Sequence, residues 1–154
     1  MKAIDAIKSF FEKNKWKYDY NEKDNVFISG IDMGNIIGNV RMLIVLREGS
    51  YNVYMVLNSK IEEQYFSPVA EFLHRANYGL NNGNFEIDYA DGEIRYKSYV
   101  SFIDGDVSEE IVAESIIVGA AMIDIYGKGL MKLMLGDGTP EECIAFCEKT
   151  NEEM

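Results

Sequence analysis

Asn84-Phe85-Glu86-Ile87-Asp88-Tyr89-Ala90-Asp91-Gly92-Glu93-Ile94-Arg95-Tyr96-Lys97 is the stretch from which the fold can be read outward. Asp91-Gly92 is the two-residue signal of a type I′ hairpin. Pairing outward from it sets Tyr89 against Ile94, Asp88 against Arg95, Ile87 against Tyr96 and Glu86 against Lys97. One face then collects Phe85, Ile87, Tyr89, Ile94 and Tyr96. The other carries two opposite-charge pairs, each contributing roughly 0.2–1 kcal/mol. A slip of one residue would exchange the two faces, so the pattern selects the pairing.

Upstream, more strands are predicted. Trp16–Tyr20 and Val26–Ile31 are short β-prone runs around the turn-forming Asn21-Glu22-Lys23-Asp24-Asn25. Asp32–Asn39, with Gly34 and Gly38, reads as a loop or bulge. Val40–Arg47 and Tyr51–Asn58 form a second hairpin across Glu48-Gly49-Ser50. Both of its strands are apolar on both faces, whereas a sheet wetted on one side alternates, so a layer is expected over each face.

Helices flank these strands. Ile4, Ile7, Phe10 and Phe11 recur at helical spacing opposite Asp5, Lys8, Glu12 and Lys13, which predicts an amphipathic helix over Lys2–Lys15. Ser67-Pro68 reads as an N-cap followed by proline at the first helical position, and Gly79 is placed to end that helix. Ser108 caps a long helix with Glu109 and Glu110 in its first turn. From Ile111 to Tyr126 that helix is apolar nearly all round, so burial on more than one side is expected. Gly127-Lys128-Gly129 is expected to interrupt it, and Thr139-Pro140-Glu141 starts a last short helix. Helices packed on a twisted antiparallel sheet make a two-layer α+β domain, expected as one unit over residues 1–154.

Composition narrows the partners. The 154 residues are 47% hydrophobic and 27% charged, with 26 acids against 15 bases and a net charge of −11. That charge argues against nucleic acid, whose affinity rests on Lys and Arg displacing counterions. Residues 104–154 hold 12 acids and 3 bases, so most of the acidity sits in the C-terminal third. The first fifteen residues mix charges into their apolar positions, unlike a secretory signal, and Ser115–Ile123 is too short to span a bilayer. A cytoplasmic protein without membrane association is expected.

The chemical motifs fail one by one. Cys143 and Cys147 lie four apart, but two thiolates do not complete a zinc site, so they read as small buried residues. His74, the one histidine, has no partner in a recognisable signature and reads as structural. A calcium loop starting at Asp19 has Lys23 at a ligand position, Asp24 at the turn glycine and Gly30 at the closing glutamate. Gly127-Lys128-Gly129 lacks the upstream glycine and following Ser or Thr of a phosphate loop. Glu86 and Asp88 are assigned to ion pairs, which lower a carboxylate's pKa rather than raise it. No catalytic residue, metal or cofactor is expected, and hence no enzyme.

The segment Phe72-Leu73-His74-Arg75-Ala76-Asn77-Tyr78-Gly79-Leu80, continued by Gly83-Asn84-Phe85-Glu86 and Asp91-Gly92-Glu93-Ile94-Arg95-Tyr96-Lys97, resembles the signature of the YbjN-like family of bacterial sensory transduction regulators. The order of elements agrees over nearly the whole chain. The resemblance implies the fold shared with type III secretion chaperones, and it implies no catalytic residue or cofactor. Asn77, Gly79, Gly83 and Gly92 read as caps and turns.

The function expected from these features is a non-enzymatic protein-binding module, chaperone-like or a regulatory adaptor, working as a homodimer. Its motivation is the two-faced central hairpin, the apolar third helix and the methionines near it, since flexible thioethers suit surfaces that repack around partners. Met122, Met131, Met134 and Leu135 are the expected partner-binding residues. The alternative is a regulatory domain that senses a small ligand in a pocket between sheet and helices, lined by its many aromatic residues.

Overall fold

In the computed structural model, which describes residues 1–152, the N-terminal 3–4 spacing folds into α1 (Ala3–Lys13), burying Ala6, Ile7, Phe10 and Phe11. The last two residues of the expected 1–154 domain lie outside the described residues. Four strands follow: β1 (Asp19–Asn21), β2 (Val26–Asp32), β3 (Asn39–Arg47) and β4 (Ser50–Leu57). One 3₁₀ turn (Glu63–Tyr65) leads into α2 (Phe66–Asn77), then β5 (Asn84–Ile87), β6 (Ile94–Ser101), α3 (Glu109–Met134) and α4 (Pro140–Glu152). The six strands form one antiparallel sheet in the order β1-β2-β3-β4-β6-β5. The architecture is α+β, as the sequence pattern predicts.

Helices α1, α2 and α3 pack on one face of the sheet. Phe11 of α1 stacks near Phe27 at 6.2 Å between ring centroids, and Phe85 of β5 meets Tyr96 at 4.9 Å and Tyr126 of α3 at 5.9 Å. Two buried serines set α3 on the strands. Ser115 Oγ donates to the Val112 carbonyl at 2.7 Å, which uses its one proton, so Tyr51 Oη donates to Ser115 Oγ at 3.0 Å. Ser98 Oγ donates to the Ser115 carbonyl at 2.9 Å. Each buried polar group thus has its partner, without which it would cost about 1–3 kcal/mol.

Four expectations are corrected. The β5–β6 register is offset by two residues: Ile87 opposes Ile94, Glu86 opposes Arg95 and Phe85 opposes Tyr96. The turn is longer than a type I′ pair. Asp88 N–H donates to the Glu93 carbonyl at 2.9 Å, Gly92 N–H donates back to the Asp88 carbonyl at 2.7 Å, and Asp88 Oδ1 accepts from Ala90 N–H at 2.8 Å. A two-residue offset preserves which side chains share a face, because the strand period is two, so the face pattern could not exclude it. Tyr89 is left outside the strand and 60% exposed.

Helix α2 begins before Ser67, which makes no side-chain cap, and Pro68 occupies its first turn, where a missing N–H breaks no helical bond. Helix α3 runs without interruption through Gly127 and Gly129 for 26 residues. Those glycines mark close approach instead of a break. A Cβ on Gly127 would collide with Ile37 Cδ1, and one on Gly129 with Cys147 Sγ, with the Cys143 carbonyl oxygen only 2.7 Å away. Gly119 likewise admits the sheet, since its Cβ would stand 2.8 Å from Met55 Cγ. The fourth correction concerns the second face of the sheet and defines the candidate site.

The remaining caps follow the sequence. Ser108 Oγ accepts from Ile111 N–H at 3.2 Å. At α4, Thr139 Oγ1 accepts from Glu142 N–H at 3.2 Å while Glu142 Oε2 accepts from Thr139 N–H at 2.9 Å, a reciprocal capping box ahead of Pro140.

Candidate interaction surface

Burial along the central strands alternates, despite their two-faced apolar sequence. In β3, Val40, Met42 and Ile44 are buried against the helices, while Leu43 and Val45 are only half-buried. The antiparallel registers place Ile28, Leu43, Tyr54 and Lys97 in one row across the far face, with Val26, Val45, Asn52 and Tyr99 in the next. Residues opposed in this way share a face. Val26, Leu43, Val45 and Tyr54 stand outside the core cluster that joins the other face to the helices. Ile28 is 40% and Tyr99 55% exposed. Among the described residues no layer covers this face, contrary to the sequence expectation. Its side chains shelter one another instead: Val56, between the Arg41 and Arg95 positions, is nearly buried without joining the core.

Charges border the apolar rows. Arg95 lies over the Tyr54 ring with its guanidinium carbon 4.3 Å from the centroid and bonds Glu86 at 2.9 Å. Lys97 reaches the other Glu86 oxygen at 3.1 Å. The sequence pairing assigned Glu86 to Lys97 and Asp88 to Arg95; in the observed register Glu86 serves both cations. Burial pushes the Glu86 pKa up, but Lys97 and Arg95 outweigh it and hold the carboxyl below its usual value. Such a group stays ionised and is a poor proton donor at neutral pH. Further along, Arg41 approaches Glu93 at 3.9 Å and Lys60 bonds Asp91 at 2.6 Å. This border fixes the apolar rows in place and supplies no reactive group.

The residues singled out in the sequence are scattered. Leu135, just past α3, is 79% exposed. Met122 and Met134 are half-buried and pack against the core, and Met131 is half-buried. Met122 and Met131 are nine residues apart, two and a half turns, so they point to opposite sides of α3 and the four do not form one patch. His74 is exposed on α2. Cys143 and Cys147 are free thiols buried where α4 meets α3, and burial, with smaller contributions from neighbouring charges, pushes Cys147 up to about 11. Among the described residues no group of three or more His, Cys, Asp or Glu side chains is placed to hold a metal ion. None of the described helices is long and apolar enough to cross a membrane. Two depressions of about 580 Å³ open to solvent, one around Val107–Ile111 and one around Trp16 and Ile28.

The sequence signal for the uncovered face was its apolarity on both sides of β3 and β4. The same apolarity motivated the expected binding module, but Val26, Ile28, Leu43, Val45, Tyr54 and Tyr99 were not singled out as its surface.

Comparison with known proteins adds three findings. The YbjN family model, described as "Putative bacterial sensory transduction regulator", matches residues 3–130. The crystal structure of YbjN from E. coli, described as "a putative transcription regulator", superposes with a TM-score of 0.59 over 79% of this chain and 85% of that one, at 12% identity, a likeness of fold. No curated protein matches the chain.

Proposed function

The chain belongs to the YbjN family, and from that premise we propose that it is a regulatory module of the bacterial cytoplasm that acts by binding a protein partner, as an adaptor or in a chaperone-like way, with no catalysis of its own. The observation that supports this reading is the uncovered sheet face. Leu43, Val45, Tyr54, Ile28 and Tyr99 form adjoining apolar rows on a rigid antiparallel scaffold. Contiguous apolar surface rimmed by charge is the usual mark of a protein interface. Aromatic residues such as Tyr54 and Tyr99 give large contact area for little lost side-chain freedom. The occupant fitted to it is a folded partner or segment that offers apolar anchors to the rows and carboxylates to Arg47, a base at the open end of β3.

The test is a tagged pull-down from the source bacterium, quantified by mass spectrometry, with Leu43→Glu and Leu135→Glu variants in parallel. Circular dichroism first checks that both fold. The reading expects a protein enriched by the wild type and by Leu135→Glu but lost in Leu43→Glu. Retention of that protein by Leu43→Glu overturns the assignment of the sheet face, and so does its loss only in Leu135→Glu.

A further inference from the structure

The solvent side of α3 carries two acids towards one end and two lysines towards the other, at positions symmetric about Ala121, with Asp124, which accepts from Asn35 Nδ2 at 3.5 Å, at its edge. At about 100° per residue, Glu110, Glu114, Ile117, Ala121, Lys128 and Lys132 fall on the side opposite Gly119, the residue seated on Met55. Glu110 and Glu114 are exposed, Ile117 is 60% exposed, and Ala121, Lys128 and Lys132 are half-buried. Glu110, Glu114 and Lys128 make no ion pair or side-chain hydrogen bond with another described residue. Lys132 bonds Asp137, itself a mostly exposed side chain, and stands 5.1 Å from the centroid of the Phe146 ring.

We propose that this face binds a second copy of the chain, with the two α3 helices antiparallel and the two-fold axis passing at Ala121. In that register residue numbers facing each other sum to 242. Glu114 then meets the second copy's Lys128, Glu110 meets its Lys132, and Ile117 meets its Ile125. Each contact occurs twice, as a two-fold interface requires. Ala121 lies against its own counterpart, where a small side chain lets the helices approach closely. No other antiparallel register brings both acids onto both lysines, and parallel packing sets acid against acid. The pairs cannot form inside one protomer, because Glu114 and Lys128 stand about 21 Å apart along the helix. This surface lies on the helical side of the molecule, away from the uncovered sheet face, so self-association and partner binding are separate.

Sedimentation equilibrium of the full chain at micromolar to several hundred micromolar concentration tests the proposal. The wild type is expected to dimerise, and more weakly at high salt. Lys128→Glu sets four acids together in place of two ion pairs and weakens the dimer about tenfold or more. Glu114→Lys, which sets four cations together at the same contacts, weakens it to a similar extent. The double variant Glu114→Lys/Lys128→Glu restores the wild-type constant, because it exchanges the signs of both partners. All substitutions are on the surface, and circular dichroism confirms the fold. A wild type that stays monomeric throughout overturns the proposal. So does a dimer indifferent to the single reversals, or one that the double exchange fails to restore.

Discussion

The side-chain amide of Asn77 takes both backbone groups of Phe85: Phe85 N–H donates to Asn77 Oδ1 at 2.6 Å, and Asn77 Nδ2 donates to the Phe85 carbonyl at 3.0 Å. Asn77 closes α2, and β5 is the outermost strand on that side of the sheet. The amide therefore stands where a seventh strand would pair, and it blunts an edge that would otherwise recruit another chain.

Asn77→Ala removes both bonds, leaving the Phe85 N–H dependent on water and its carbonyl with only the longer bond from Asn84 Nδ2 at 3.3 Å. The expected cost is about 1–3 kcal/mol, read as a lower midpoint in urea with an unchanged slope. Asn77→Asp keeps the acceptor and loses the donor, so it falls between the two. Equal stability of Asn77→Ala and wild type contradicts the role.

Gly129 is a contact residue and not a helix break. Gly129→Ala would gain about 1 kcal/mol of helix propensity on an exposed helix. Here the added methyl meets the Cys147 sulfur and the Cys143 carbonyl, and overpacking of this kind costs roughly 1–3 kcal/mol. Net destabilisation is expected, with α4 loosened first. Burial, the largest cause, holds the Cys147 thiol protonated up to about 11, so alkylation at pH 8 is slow in the wild type. It becomes faster in Gly129→Ala, which mass spectrometry of the labelled protein reads directly. A variant that is stabilised, with Cys147 still protected, contradicts the packing account.

The Glu86 junction predicts a pH dependence. Its folded-state pKa is lowered, because its two cations outweigh the upward push of burial. The unfolded chain therefore binds the proton more readily, and the stability that Glu86 contributes is present above the unfolded carboxylate's pKa and lost as pH falls through the folded one. Glu86→Gln is expected to cost about 0.2–1 kcal/mol at neutral pH, with the difference from wild type fading in acid below the usual carboxylate range. Denaturation at pH 7 and in stepwise acid checks this. A difference that grows in acid has the wrong sign.

The sequence revealed the fold class because the apolar periods of three to four and of two are local. Ile4, Ile7, Phe10 and Phe11 needed no distant partner to read as α1. The hairpin turn at Asp91-Gly92 was legible as a turn, but its register was not. Phe85, Ile87, Ile94 and Tyr96 share a face at either offset, and the choice is made by Asp88 wrapping its own loop and by Ile61, whose backbone a Gly92 side chain would strike. Gly127 and Gly129 misread as a break for a similar reason. Their meaning lies in Ile37 and Cys147, far away in sequence. The candidate site was half legible. Leu43, Val45 and Tyr54 announced a second apolar face, but no local pattern tells whether a chain covers such a face itself. The methionine group was chosen by proximity in sequence, which does not set a shared side of the helix: Met122 and Met131 lie half a rotation apart.

The central claim is that the uncovered sheet face binds a protein partner. It is tested most directly by photo-crosslinking in the living bacterium, with a photoreactive phenylalanine at Tyr99, on that face and 55% exposed, or at Tyr78, 93% exposed beyond α2. The account predicts one discrete heavier adduct from position 99, abolished by Leu43→Glu, and none from position 78. Adducts from position 78 alone, or an adduct at 99 that survives Leu43→Glu, would contradict it.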